Sequence, residues 1–384
     1  MKTIIPSTQC KFPTISRRAL ITIAASLSLS SFSFGADQIR VGRSLPLTGP
    51  FAEYAKERQT GADLFFSATN KNGGIAGRPI GIITLDDSYS ADRLKLNIQQ
   101  LDEKDAVVAL FGFLGPSLGA NFGEIERRKI PLIAATTGLS LRNPIQNFIF
   151  PLRVGFAEET ERIVKHVATI GYSRIAVLKQ QGPLGDLGAL GYSGALDKHN
   201  LKPVSVSTIQ VNGSDAGQAA QNIQNIRCDA LLCAAGAIPL AALIKAIDKL
   251  GVRPSVFSFA AVNTSQLYAE LGKLAAGVTA TQVVPSPWSY KSAVSREYQR
   301  ACQSAQIKPS FYGIEGYLEA KLLVAGLMQA SRGPKLSRAV LHSTFDKLGT
   351  VDLGGFEVSY SPNQRTGSMY AELSIIKEDG TVRT

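Results

Sequence analysis

Tryptophan occurs once in this 384-residue chain, and methionine and histidine three times each. His166, His199 and His342 are dispersed, and no Cys/His spacing of the kind that holds zinc is present, so no metal or cofactor is implied. Of the four cysteines, Cys228 and Cys233 bracket an apolar run that reads as a strand. Five steps of about 3.3 Å would place them roughly 16 Å apart, beyond disulfide reach. Charge of one sign is not concentrated either. The formal net charge is +11, but the longest basic run is Arg127-Arg128-Lys129, which reads as solvated surface at a helix end. Without a basic stripe, nucleic acid is excluded as a partner.

What is present is an ordinary globular composition, 45% hydrophobic and 18% charged, in a chain long enough for two domains. The first 36 residues stand apart. Arg17-Arg18 precede an uncharged stretch, residues 19–34, too short and too weakly apolar for a membrane span, and Ser33 and Gly35 suit signal peptidase. A signal peptide over 1–36 is expected, with a mature start near Ala36 or Asp37 in the periplasm. Sec and Tat export both remain open. Cleavage would remove Lys2, Lys11, Arg17 and Arg18 and lower the charge to +7.

Residues 39–87 organise the rest. A strand at 39–45 ends at Pro46, a turn-rich loop follows to Tyr54, a helix over 61–71 stops at Gly73-Gly74, and a second strand closes on Asp86-Asp87. Such a strand–helix–strand unit has parallel strands and a right-handed crossover, and places ligands beyond the strands' carboxyl ends, here at residues 46–54 and 86–89. The alternation continues to residue 259, with a helix over 118–128, and further strands are expected at 278–284, 354–360 and 370–377. An α/β architecture of two doubly wound, Rossmann-like lobes is predicted.

Pro46-Leu47-Thr48-Gly49-Pro50-Phe51, Gly61-Ala62, Asn72-Gly73-Gly74-Ile75-Ala76-Gly77-Arg78-Pro79 and Asp86-Asp87, in that order, resemble the opening of a known family. It is that of the periplasmic solute-binding proteins of branched-chain amino-acid ABC transporters, the leucine/isoleucine/valine-binding type. The resemblance runs from about Ile39 to the end of the chain. It implies a type I periplasmic binding fold with three hinge crossings, near residues 153–155, 281–285 and 353–356. The lobes would then be 37–153 plus 283–353, and 154–282 plus 354–384. It also implies a monomer that is not an enzyme and holds a small ligand between the lobes for an inner-membrane permease; a ligand-sensing domain serving a receptor is the alternative. A disulfide frequent in the family is absent, since Ser88 and Gly115 stand at its positions.

Gly115-Pro116-Ser117-Leu118-Gly119 is a G-x-S-x-G turn after a strand, and three readings compete. Ser117 could be a serine-hydrolase nucleophile, although too few strands precede it and no oxyanion-hole pair lies upstream. It could simply cap the following helix. In the resembled family the matching loop binds a ligand carboxylate, with helix N–H groups behind Gly115. A dinucleotide turn is disfavoured by the glycine spacing. The resemblance adds Thr136 and Thr137 as a second carboxylate loop, Tyr54 as a pocket aromatic and Phe51 in the neighbouring loop. The other lobe departs from the pattern: Leu184, Ala237 and Ala260 stand where amino-acid binders carry an aromatic or an acid for the ammonium group. A buried ammonium without such partners is costly, so a carboxylate or neutral polar ligand with an apolar body is expected over a zwitterion. Trp288, after a hinge, is a candidate to close over it.

Overall fold

The computed structural model describes residues 38–49, 51–139, 145–333 and 335–384. The expected leader, residues 1–36, lies outside the described residues.

The chain opens with β1 (Ile39–Leu45), α1 (Ala52–Lys71), β2 (Ile80–Asp86), α2 (Ala91–Glu103), β3 (Ala109–Phe111), α3 (Phe122–Arg128), β4 (Leu132–Ala135) and β5 (Ile149–Pro151). The strands form a parallel sheet in the order β2-β1-β3-β4-β5. β1 is buried at every position except Arg40, as a strand covered on both faces must be. The helix expected over 118–128 is split: a 3-10 turn spans Pro116–Asn121 and α3 begins only at Phe122. Arg128 is not solvated surface. It is mostly buried and pairs with Asp102, Glu103 and Glu124.

A second series follows: α4 (Phe156–Thr169), β6 (Ile175–Gln180), α5 (Pro183–Lys198), β7 (Ser205–Ile209), α6 (Ala216–Ile226), β8 (Ala230–Ala234), α7 (Ala237–Lys249), β9 (Ser255–Ser258), α8 (Thr264–Leu271) and β10 (Thr279–Gln282). The chain then returns to the first lobe with α9 (Ala293–Ala305), α10 (Phe311–Ala330), α11 (Arg338–Asp346) and a small antiparallel sheet of β11 (Gly349–Asp352), β12 (Glu357–Ser361) and β13 (Gln364–Gly367). It ends in the second lobe with β14 (Glu372–Ile376) and β15 (Val382–Arg383), antiparallel additions that give the order β15-β14-β10-β9-β8-β6-β7.

The first lobe closes where α1 meets α10, and glycine permits it. A Cβ on Gly61 would collide with the Gly313 carbonyl, and one on Gly316 with the backbone of Arg58. Only bare backbone lets the two helices come this close. The core between them takes in Phe66, Phe111, Ile314, Leu318 and Leu322.

Three crossings join the lobes, and one is not where it was expected. Phe356, Val358 and Tyr360 are buried in the first core, and the Tyr360 hydroxyl donates to Pro151 O at 2.5 Å. The apolar side chains of this segment therefore hold it in the first lobe, and the last crossing falls at 368–371 instead of 353–356. Val154, Val283 and Ala371, one from each crossing, pack together around Ala260.

Candidate ligand-binding site

A cavity of about 800 Å³, counted with its opening to solvent, lies between the lobes at the carboxyl ends of both sheets. The first lobe supplies Phe51 and Tyr54 from the start of α1, and Tyr89 from the turn after β2. Phe51 stacks on Tyr89 with centroids 4.2 Å apart, and Tyr54 meets Tyr312 of α10 edge-on at 4.0 Å. Phe156, Leu184, Val211 and Ile238 of the second lobe complete an apolar lining.

Polar groups are few. Thr136 and Thr137 both line the cavity, but their hydroxyls differ. Thr136 accepts from Arg58 Nη2 at 2.8 Å and donates to Glu319 Oε1 at 3.2 Å, so its proton is spent on the first lobe's interior. Thr137 accepts from Leu139 N–H at 3.3 Å, and its O–H has no acceptor among the described residues. Arg153 is the one charged side chain lining the cavity among the described residues. Its Nε donates to Glu315 at 2.8 Å, and its Nη1 to Glu159 at 3.0 Å and to the Val154 carbonyl at 3.2 Å. Burial alone would lower the Arg153 pKa. The Glu315 and Glu159 carboxylates reverse that and hold it charged. Burial pushes Glu159 up, although Arg153, the Thr281 hydroxyl and Ala260 N–H each act against it.

Gly115, Leu184 and Ala237 also line the cavity. For Pro116 and Ser117 only the backbone, in the 3-10 turn, is described. Ala260 is tied elsewhere. Its N–H donates to Glu159 Oε2 at 2.8 Å and its carbonyl accepts from Tyr312 at 2.7 Å, so the neighbouring Ala261 lines the cavity in its place. Ala260 instead borders a small adjoining pocket beside Glu57 and Asn263. There burial pushes the Glu57 carboxyl up, and its Oε2 has no partner among the described residues. Trp288 does not close over the cavity. The turn it occupies packs it edge-on against Phe311 at 5.3 Å and leaves it 41% exposed.

The family model for periplasmic binding proteins matches residues 38–381. This chain belongs to the periplasmic binding protein family. A substrate-binding periplasmic protein from Ralstonia solanacearum is 27% identical, with a TM-score of 0.83 over 90% of this chain and 99% of that one. A possible leucine/isoleucine/valine-binding protein from Rhodopirellula baltica SH 1 is 26% identical, with a TM-score of 0.83 over 91% and 96%. A branched chain amino acid ABC transporter structure from Thermus thermophilus with bound valine has a TM-score of 0.82 over 91% and 95%. At 14% identity that is a likeness of fold. No curated protein sequence matches at a significant level. The two-lobed, type I periplasmic binding fold is thereby established.

Within this periplasmic binding protein, no histidine lines the cavity among the described residues. His199 meets Glu161 at 2.9 Å, His342 meets the Asn147 carbonyl at 3.0 Å, and His166 packs near Phe257. Tyr89 falls in the 86–89 loop that the sequence pointed to, but Arg153, Phe156, Gln180 and Tyr312 are among the lining residues that sequence reasoning missed. Arg153 and Gln180 carried a usable signal, since each follows the carboxyl end of an apolar strand.

Proposed function

We propose that this protein captures a small carboxylate with an apolar body, lacking a free ammonium group, and delivers it to an inner-membrane ABC permease from the periplasm. The observation that carries the ligand class is the make-up of the lining: Arg153, backed by Glu159 and Glu315, is its one charged side chain, and no acid lines the cavity among the described residues. The expected role for helix N–H groups behind Gly115 is weakened, because that turn is a 3-10 segment of six residues. The cation takes it over, with the Thr137 hydroxyl as a neighbouring donor. Apolar and aromatic walls desolvate the ligand's body, and closure of the lobes around it is the signal to the permease. Phe51, Tyr54, Leu184 and Ala237 would touch that body, and Thr137 and Arg153 the carboxylate. A bound ammonium would find neither acid nor aromatic at Ala237 and Leu184.

Calorimetry should compare leucine with 4-methylpentanoate, and phenylalanine with 3-phenylpropanoate. The deaminated acid of each pair is expected to bind at least about tenfold more tightly, roughly 1.4 kcal/mol. Tighter binding of the amino acid, abolished by Glu57→Gln, would assign the ammonium to the small pocket and overturn this reading.

A further inference from the structure

Within the largely apolar wall that the second lobe gives the cavity, one stretch, from Gln180 to the start of α7, presents hydrogen-bond donors. Gln180, at the end of β6, is 4% exposed and lines the cavity. Its Oε1 accepts the Gly236 N–H at 2.8 Å. A backbone N–H can only donate, so the amide is fixed with its oxygen toward Gly236 and its NH₂ free to serve something else. Nε2 has no partner among the described residues, and the space beside this buried side chain is the cavity. Next to it α7 begins, and Gly236, Ala237 and Ile238 line the same wall. No side chain caps this helix of 13 residues, and its first intrahelical bond comes from Leu240 N–H to Gly236 O at 3.3 Å. The N–H groups of Ala237 and Ile238 precede that bond, at the positive end of the helix dipole. The Gln180 oxygen is turned towards Gly236 and engaged by its N–H.

We infer that this wall reads a second carboxylate on the ligand, bound by Gln180 Nε2 and the start of α7, so that the preferred ligand is a dicarboxylate with an apolar body. The inference rests on the reading that Arg153 and Thr137 hold the first carboxylate. An ammonium or other donor group beside Gln180 Nε2 and the start of α7 would face donors. A purely apolar end would leave the Gln180 NH₂ buried without a partner, at a free-energy cost.

The test uses two pairs of equal body, hexanoate with adipate and benzoate with terephthalate, in thermal shift and calorimetry on the wild type and on Gln180→Glu. That substitution keeps the oxygen that accepts from Gly236 and replaces the NH₂ donor with a carboxylate oxygen. In at least one pair the wild type should bind the diacid roughly tenfold or more tightly than the monoacid, and Gln180→Glu should lower that ratio by roughly tenfold or more. Equal affinity for diacid and monoacid in the wild type, or an unchanged ratio in the variant, would overturn the second-carboxylate inference and leave the carboxylate reading standing. Failure of all four acids to bind would sink the carboxylate reading itself, and this inference with it. Should Gln180→Glu not fold, the wild-type ratio alone decides.

Discussion

Arg153, at the first crossing, donates from Nη1 to Glu159 Oε1 at 3.0 Å. The other oxygen of Glu159 takes the Thr281 hydroxyl at 2.5 Å and the Ala260 N–H at 2.8 Å, while Arg153 Nε reaches Glu315 on α10. Two crossings and both lobes are thus tied through one guanidinium and two buried carboxyl groups, Glu159 and Glu315, beside the three apolar crossing residues around Ala260.

Glu159→Ala should destabilise the protein by about 3–5 kcal/mol, because it leaves a buried guanidinium short of a partner. Urea unfolding measures this, and Glu159→Gln, which keeps the shape and part of the bonding, should cost less. A loss below about 1 kcal/mol for the alanine variant would show that the cluster contributes little to holding the crossings.

Arg58 and Glu319 form a second buried ion pair between α1 and α10, shared with Thr136. Arg58 Nε has no partner among the described residues, so the pair is imperfectly satisfied. Arg58→Met and Glu319→Leu should each cost about 3–5 kcal/mol, and the double variant should recover most of that, since matched apolar groups can replace a buried pair. Additive losses in the double-mutant cycle would contradict this account.

Asp86 accepts from Leu47 N–H at 2.9 Å and Ser88 N–H at 2.8 Å, and from the Thr48 and Ser88 hydroxyls at 2.7 and 3.0 Å. Partial burial would raise its pKa, but the bonds from Thr48, Ser88 and Leu47 outweigh that and hold it at about 2, below its ordinary 3.8. The folded pKa is depressed, so the stabilisation is present above pH 4 and is lost as pH falls from 4 towards 2. Asp86→Asn should flatten that part of the stability profile relative to wild type. An identical acid limb in both proteins would show that these bonds do not favour the ionised form.

The alternation of strands and helices was legible because a sheet covered on both faces needs apolar strands, and these stand out between turn residues. The loops at the carboxyl ends of the strands were legible for the same reason, whereas Tyr54, Thr137 and Ala237 were picked out within them only by the family resemblance. Buried charge was not. Arg58, Arg153, Glu159, Glu315 and Glu319 read as surface in a periodicity argument, which assumes that ions face water. One trace was present: Glu315 and Glu319 lie four residues apart in α10, which is buried at most of its positions. Acids on one face of a helix with little solvent-facing surface must meet cations inside. Trp288 was misplaced because rarity in composition says nothing about direction, and the third crossing because Gly354-Gly355 marks a turn without saying which core lies beyond it.

The glycine contact between α1 and α10 fixes an order of assembly. The residues that build most of the second lobe, from α4 to β10, are contiguous and can collapse on local contacts. The first lobe is begun by β1 at one end of the chain and cannot be finished until Gly313 and Gly316 reach Gly61 and Arg58 from far downstream. Contacts of such long separation are slow to form, because loop closure comes before any reward. During synthesis, the half of the molecule that starts first therefore stays open until α10 has been made, and its sheet is exposed to misassociation over that interval.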